Sequence, residues 1–299
     1  MEILYSIIFV YIFIFLGFLA KAIFKDRIDS KTLTLISVYF IQPFVTLWGF
    51  SISKLEFEHL KVVGIYFLII FLLLIPTIFI AKAIFSDPKE RSIFTIAGFV
   101  GNTGNIGIPL GIALFGEKSA IYTTLINLAN VFVIYGLGVY IYSRGSFSIK
   151  KSILNVFKIP IIPAAAVAII INILEINLAP QIKEVIKMGA YAGIVLQLLL
   201  LGTFLQQIKI STINKRLYIG VLTQKFILIP VATYFILQFF DISSYIKNIL
   251  LMQMLTPLAV ANINLASLYD CRPKDVTNLI FISTILFIFV LILFNGVLL

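Results

Sequence analysis

Long apolar runs alternate with short polar connections along the whole chain. A membrane-crossing helix needs about 20 mostly apolar residues. The pattern predicts ten: 3–22, 31–51, 61–85, 91–115, 119–142, 152–174, 183–208, 214–240, 247–268 and 275–298. The seventh is the most charged at its start, where Lys183, Glu184 and Lys187 stand. The connections are too short to hold a soluble domain. The first run has Glu2 where a signal peptide has basic residues, and Lys21, Lys25 and Arg27 follow it without a small-residue cleavage site. It reads as a retained transmembrane helix.

The fourth run breaks its own pattern. Phe99-Val-Gly-Asn-Thr-Gly-Asn-Ile-Gly-Ile-Pro-Leu-Gly111 holds four glycines, two asparagines and a proline within thirteen residues. Gly and Pro interrupt helices. In hydrocarbon an interrupted helix leaves backbone groups unpaired, so a break survives only where it is buried in protein or lines a wet cavity. The stretch predicts a discontinuous helix of the kind that binds substrates and ions in transporters. A small-residue packing face is the alternative, but packing alone has no use for the carboxamides of Asn102 and Asn105. The ninth run carries a second break, Leu255-Thr-Pro-Leu-Ala-Val-Ala-Asn-Ile-Asn264. Thr256 and Pro257 read as the N-cap and first residue of a helix. A half-helix is therefore expected to start at Pro257 and, by analogy, another near Pro109. Each would point a positive dipole end and free N–H groups at one central place, a setting suited to an anion.

The 299 residues are 61% hydrophobic and 12% charged, where a soluble domain is about a quarter charged. This is an integral membrane protein, and the net charge of +10 does not point to nucleic acid. The basic residues are divided unevenly instead. Sixteen of the 23 Lys and Arg lie in odd-numbered connections and six in even ones, with Lys225 inside a run. The positive-inside rule then puts odd connections in the cytoplasm and both termini outside. The chain also repeats itself. Leu74-Ile75-Pro76 returns as Leu228-Ile229-Pro230, and Pro109 as Pro257. Two five-helix halves, 1–142 and 152–298, would insert in opposite senses, the inverted-repeat plan of many secondary transporters.

Chemistry is bounded by what is missing. All 13 Asp and Glu lie in or beside connections, so no run carries a mid-membrane carboxylate of the kind proton relays need. The single Cys271 excludes an intramolecular disulfide and a cysteine metal site. The single His59, among Lys54, Glu56, Glu58 and Lys61, reads as part of a solvated loop. With no Ser–His pair, embedded histidine or paired aspartates, no enzyme activity is expected, and no cofactor or metal.

Gly101-Asn-Thr-Gly-Asn-Ile-Gly-Ile-Pro109 resembles the GN-x-GN-x-G-x-P signature of the auxin efflux carrier family of membrane transporters. Lys225 stands five residues before Pro230, like that family's Lys…Pro pattern. Pro257-Leu-Ala-Val-Ala-Asn262, Leu265-Ala266, Tyr269, Ser283-Thr284 and Gln42-Pro43 also fit. The likeness covers essentially the whole chain. It implies an all-α membrane protein of ten transmembrane helices, with a fold like that of bile-acid/sodium symporters. Runs 1, 2, 6 and 7 would be a scaffold and runs 3–5 and 8–10 a moving transport domain, with runs 4 and 9 crossing at their prolines. It also implies a homodimer in membrane lipid and a small organic anion as substrate: malate or malonate in microbial relatives, indole-3-acetate in others. There are two departures. Gly193-Ile-Val-Leu-Gln197 stands where the family often has a proline, and the long cytoplasmic loop of some members is reduced to 143–151.

Asn102 and Asn105 lead the candidate site residues, because a carboxamide donates to a carboxylate and accepts from a cation or hydroxyl. Repair of the broken backbone is their other use. Pro109 and Pro257 would form the crossover. Thr256, Asn262 and Asn264 follow, with Gln253 one turn before Pro257. Asn127 and Asn130, three apart on one helix face, either touch substrate or bond to the break. Gln197 and Gln224 are weaker. Lys225 is about 13 Å along a helix from Arg216, near enough to snorkel toward the cytoplasmic surface. Otherwise it faces the interior, where it pairs with an anionic substrate or stands in for a cation. The expected function is a secondary transporter that moves a small organic anion by alternating access, as export driven by membrane potential. A sodium- or proton-coupled symporter is the alternative, and a receptor or channel on the same fold the second.

Overall fold

The computed structural model describes residues 2–143, 157, 159–206 and 214–293. The start of the sixth run, the end of the tenth and the cations Arg144, Lys150, Lys151, Lys158 and Lys209 lie outside the described residues. Among the described residues all regular structure is helical, apart from one isolated bridge between Gly101 and Leu258. The helices are α1 (Glu2–Phe24), α2 (Ser30–Ser51), α3 (Phe57–Ile84), α4 (Pro88–Ile96), α5 (Thr103–Phe115) and α6 (Glu117–Tyr142). They continue with α7 (Ile161–Ile173), α8 (Pro180–Gln206), α9 (Lys215–Leu237), α10 (Ser244–Leu255), α11 (Ala261–Leu268) and α12 (Pro273–Leu293). Six of these, α2, α3, α6, α8, α9 and α12, are long and apolar enough to cross a membrane. The chain is an all-α, multi-pass membrane protein.

Proline reshapes three helices without ending them. π-helical turns at Ser37–Ile41, Thr103–Gly107 and Gln224–Leu228 each stop two residues before a proline, namely Pro43, Pro109 and Pro230. A proline cannot donate to the carbonyl four residues back, and its ring crowds that carbonyl. Widening the turn to the i→i+5 pattern relieves both conflicts.

The chain divides into two compact units. Unit 1 comprises Met1–Leu60, Gly104–Leu128 and Phe157–Gln207; unit 2 comprises Lys61–Thr103, Ala129–Val156 and Ile208–Leu299. The division cuts the fourth and fifth runs part-way along.

Unit 1 is packed through glycine. A Cβ at Gly17 would lie 2.0 Å from the Leu199 carbonyl oxygen, and one at Gly202 would lie 1.9 Å from that of Ile14. Thus α1 and α8 meet backbone to backbone, as small residues allow in membranes. Gly189 and Gly193 receive Phe44 and the pair Ile41 and Val45 of α2. His59 departs from the solvated loop that its charged neighbours suggest. It is buried, its Nδ1 accepts the Glu56 N–H at 2.9 Å, and its ring stacks on Tyr122 at 4.8 Å. The local amide and the aromatic face replace water around the imidazole.

In unit 2 the turn after α11 is strained and tied down by charge. Asp270 and Arg272 both have positive φ, 47° and 46°. Arg272 pairs with Asp87 at 2.7 Å, Glu90 at 2.9 Å and Asp275 at 3.5 Å, while Lys89 pairs with Asp270 at 2.6 Å. Asp87 also caps α4, accepting the Lys89 N–H at 2.8 Å. Partial burial opposes the charged carboxylate, but the Lys89 amide and the Arg272 guanidinium outweigh it and hold Asp87 below the usual carboxylate range. A pKa lowered by folding contributes stability above the unfolded value, and that stability is lost as pH falls through the folded value. Asp87→Asn should therefore melt below the parent at neutral pH. The gap should close as pH drops well below about 4, in thermal unfolding of the purified protein.

Candidate functional site

The site is built on the two breaks, both within unit 2. Residues 97–102 leave the helix after α4, and residues 256–260 separate α10 from α11. The two stretches pair antiparallel. The Asn102 N–H donates to the Pro257 carbonyl at 2.8 Å, and the Ala259 N–H to the Val100 carbonyl at 2.9 Å. This corrects the expectation from sequence at three points. The half-helix starts at Ala261 rather than Pro257, because Pro257 to Ala259 are drawn out to make the pairing. Thr256 closes α10 instead of opening α11; its hydroxyl donates to the Gln253 carbonyl at 2.7 Å. The crossing point is Gly101 opposite Leu258, whereas Pro109 belongs to α5 in unit 1. Nor are the amides at the crossing free. Those of Gly101, Asn102, Leu258 and Ala259 donate to Phe99 O, Pro257 O, Ser283 Oγ and Val100 O.

Two tyrosine–asparagine pairs hold the broken strand. The Tyr66 hydroxyl donates to Asn130 Oδ1 at 3.0 Å, and Asn130 Nδ2 donates to the Gly101 carbonyl at 2.8 Å and Thr103 Oγ1 at 2.9 Å. The Tyr142 hydroxyl donates to Asn262 Oδ1 at 3.0 Å, and Asn262 Nδ2 donates to the carbonyls of Val100 and Ala259, both at 3.1 Å. Each carboxamide thus has both N–H groups and its oxygen engaged. Adjacent carbonyls, Val100 and Gly101, are satisfied from two directions. The tyrosines fix which way each carboxamide faces. Sequence reasoning passed over Tyr66 and Tyr142; their signal was a phenol inside an otherwise apolar run.

Other polar groups here are left over. Lys225 is 1% exposed, in the π turn of α9, and does not snorkel. Its Nζ donates to the Gly98 carbonyl at 2.9 Å. A Cβ on Gly101 would come within 2.7 Å of Thr256 Oγ1 and 3.2 Å of Lys225 Nζ. A Cβ on Gly98 would come within 2.9 Å of Gln224 Oε1. The missing side chains at 98 and 101 are what make room for the lysine and the glutamine. Asn102 Nδ2, and both polar atoms of the Gln224 and Gln253 side chains, are buried without a hydrogen-bond partner. Buried polar atoms are normally paired, so these five atoms are open hydrogen-bonding positions around the two breaks. Beyond its bond to Gly98, the Lys225 amine has at least one more N–H donor to offer.

The remaining candidates are placed elsewhere. Asn105 and Asn127 belong to unit 1 and are half-buried, with Asn127 Oδ1 2.8 Å from where a Gly104 Cβ would stand. Gln197 is buried on α8, also in unit 1. Asn264 is exposed, two positions beyond Asn262 and so on the far side of α11. Thr256 and Pro257 are buried in the crossing.

Membrane-crossing helices around two paired, buried breaks define a polytopic membrane protein of the broken-helix kind. The chain belongs to the auxin efflux carrier-like family described as membrane transport proteins, which matches residues 2–151 and 144–295. It is 26% identical, over 98% of both chains, to an uncharacterized transporter of Methanocaldococcus jannaschii.

Proposed function

We propose that the chain is a secondary transporter for a small organic anion, working by alternating access and exporting under the membrane potential. The observation that supports this reading is the buried Lys225 bonded into the first break, in a unit that also holds the buried, unpartnered Asn102 Nδ2 and the Gln224 and Gln253 carboxamides, with no buried Asp or Glu among the described residues. A carboxylate guest would accept from Lys225 and from the unpartnered N–H groups of Asn102, Gln224 and Gln253. The carbonyls of Gly98, Val100 and Gly101 accept from Lys225, Asn262 and Asn130, which leaves fewer oxygen lone pairs at the break for a sodium ion. A negative interior drives anions outward by about 2.3 kcal/mol per charge per 100 mV. The reading includes ten spans in two inverted halves, runs 3–5 and 8–10 moving against runs 1, 2, 6 and 7, a homodimer in the cell membrane, and both termini outside.

The test is flux in proteoliposomes loaded with radiolabelled lactate, malonate, malate or indole-3-acetate, at potassium-diffusion potentials of either sign. Saturable flux that follows voltage, and is unchanged by imposed sodium or pH gradients, is expected. Uptake that requires a sodium or proton gradient at zero voltage would replace this reading with a symporter.

A further inference from the structure

Away from the crossing, unit 1 holds a cavity of about 400 Å³ where α2 and α7 end and α8 begins. Asn172, in the last turn of α7, ties the first two walls together. Its Nδ2 donates to the carbonyls of Phe50 at 2.6 Å and Ser53 at 2.8 Å, and its Oδ1 accepts the Leu55 N–H at 2.6 Å. One carboxamide thus fixes the turn after α2 against α7. The end of α7 is a Schellman turn, in which the Glu175 and Ile176 N–H groups donate to the carbonyls of Asn172 at 3.2 Å and Ile171 at 3.0 Å. Glycine is usual at the left-handed position of such a turn, yet here it is Glu175, with φ 52°. Its carboxylate pairs across the mouth with Lys54. On the third wall Lys183 Nζ donates to Asn177 Oδ1 at 3.1 Å.

The lining changes character along the helix axes. On each wall a polar residue stands at the helix end and an apolar one lies about a turn further in, on the same face: Ser51 with Leu47, Asn172 with Ala168, Lys183 with Ile186. Two of these helices, α2 and α8, are long and apolar enough to cross a membrane, so further in means toward the hydrocarbon. Beside the mouth Ile173, Leu174, Ile182 and Val185 are exposed, an apolar surface suited to lipid. We propose that this cavity holds the headgroup and upper chain of a phospholipid with one net negative charge. Its polarity is that of a bilayer lipid, polar at the membrane surface and apolar below. The mouth offers two cations, Lys54 and Lys183, and one carboxylate, Glu175, which leaves one positive charge for one phosphodiester. The Lys54–Glu175 pair does not compete strongly, because both side chains are 65% exposed and exposed pairs are weak. Lys183 uses one ammonium donor on Asn177 and has two others to offer a phosphate. A soluble acid would leave the apolar half unfilled. The site lies within unit 1 and does not depend on what the crossing in unit 2 carries.

The test uses the purified full chain, stripped of lipid in a mild detergent and titrated with phosphatidylglycerol, phosphatidylcholine or glycerophosphoglycerol, the first headgroup without its chains. Bound molecules are counted by native mass spectrometry. Phosphatidylglycerol should fill one tight site per protomer, about five-fold ahead of phosphatidylcholine, and glycerophosphoglycerol should not bind at the same concentrations. A lysine at a membrane surface contributes about five-fold to the affinity for an anionic lipid. Lys54→Gln and Lys183→Gln should therefore each weaken phosphatidylglycerol about five-fold, and the double variant about 25-fold. Lys118→Gln removes an exposed lysine of the same unit that does not line the cavity, and should leave binding unchanged. All of these side chains are exposed, so the variants should elute and melt like the parent. No tight phosphatidylglycerol, or an unchanged affinity in the double variant, overturns the proposal. An equal loss in Lys118→Gln would reduce the effect to general charge attraction and overturns it as well. Glycerophosphoglycerol binding as tightly as the lipid would make this a site for a free phosphodiester, and the lipid assignment would fall.

Discussion

Asn262→Ala is expected to cost the protein its fold, and Asn102→Ala only its transport. The two residues are both buried carboxamides at the same crossing, yet their bonding differs completely. Asn262 accepts from Tyr142 and donates to two carbonyls, Val100 and Ala259. Truncating it strands the buried Tyr142 hydroxyl, at about 1–3 kcal/mol, and removes one of the two hydrogen bonds at each carbonyl, at about 1 kcal/mol apiece, while the Ala259 and Asn262 N–H groups still donate to Val100 and Ala259. The sum, about 3 kcal/mol or more, is a large part of the usual stability margin. Asn102 holds the break by its backbone, through the N–H bond to Pro257. Its side-chain Nδ2 has no partner, so Asn102→Ala removes an unmet donor and leaves the bonding of the strand as it was. Melting temperature in detergent should drop sharply for the first variant and stay within a few degrees for the second. Flux of the best probe acid should fall at least ten-fold in Asn102→Ala. Tyr142→Phe is the graded control. It removes only the bond to Asn262 Oδ1 and leaves both Asn262 Nδ2 bonds in place, so its loss should be smaller than that in Asn262→Ala. A melting temperature for Asn262→Ala equal to the parent's would show that the clamp is not structural.

This contrast also marks how far the chain could be read from its residues. The apolar runs, the Gly-Asn-rich break and the Thr256-Pro257 interruption follow from the chemistry of membrane backbone, and the structure has breaks in both places. Which carboxamide repairs the backbone and which is spare could not be read. That depends on partners far off in the chain: Tyr66 is 64 residues from Asn130, and Val100 is 162 from Asn262. Spacing did place Lys225 inside a run, but not its direction. A lysine in a wide π turn beside two glycines is buried, where the same lysine on a plain helical face could have reached the surface. The start of the second half-helix was misplaced for a related reason. Thr-Pro is a good helix opening in isolation, but here the extended Pro257–Ala259 backbone gains two hydrogen bonds from the other break, and the helix waits until Ala261. Local propensity yields to a long-range pairing that the sequence does not display.

Gly202→Ala should be among the most damaging single-methyl additions in the chain, although it lies far from the crossing in sequence. The added Cβ would sit 1.9 Å from the Ile14 carbonyl oxygen and 2.6 Å from the Phe18 amide nitrogen. Both obstacles are backbone, so no side-chain rotation relieves them. The only escape is separation of α1 from α8, along an interface that Gly17 and Leu199 make equally close one step away. Overpacking of this kind costs about 3 kcal/mol or more when the surroundings cannot yield, and in lipid no hydrophobic force pulls the helices back together. Gly64→Ala is the matching control. A Cβ there meets nothing within 4 Å, and alanine favours helix over glycine by about 1 kcal/mol. Size-exclusion profiles and thermal melts in one detergent should therefore move in opposite directions: Gly202→Ala aggregated or strongly destabilised, Gly64→Ala at or slightly above the parent. Gly17→Ala should behave like Gly202→Ala, since its Cβ meets the Leu199 carbonyl oxygen at 2.0 Å. Normal folding of both glycine variants would mean that α1 and α8 are free to part, and that unit 1 is not held by this contact.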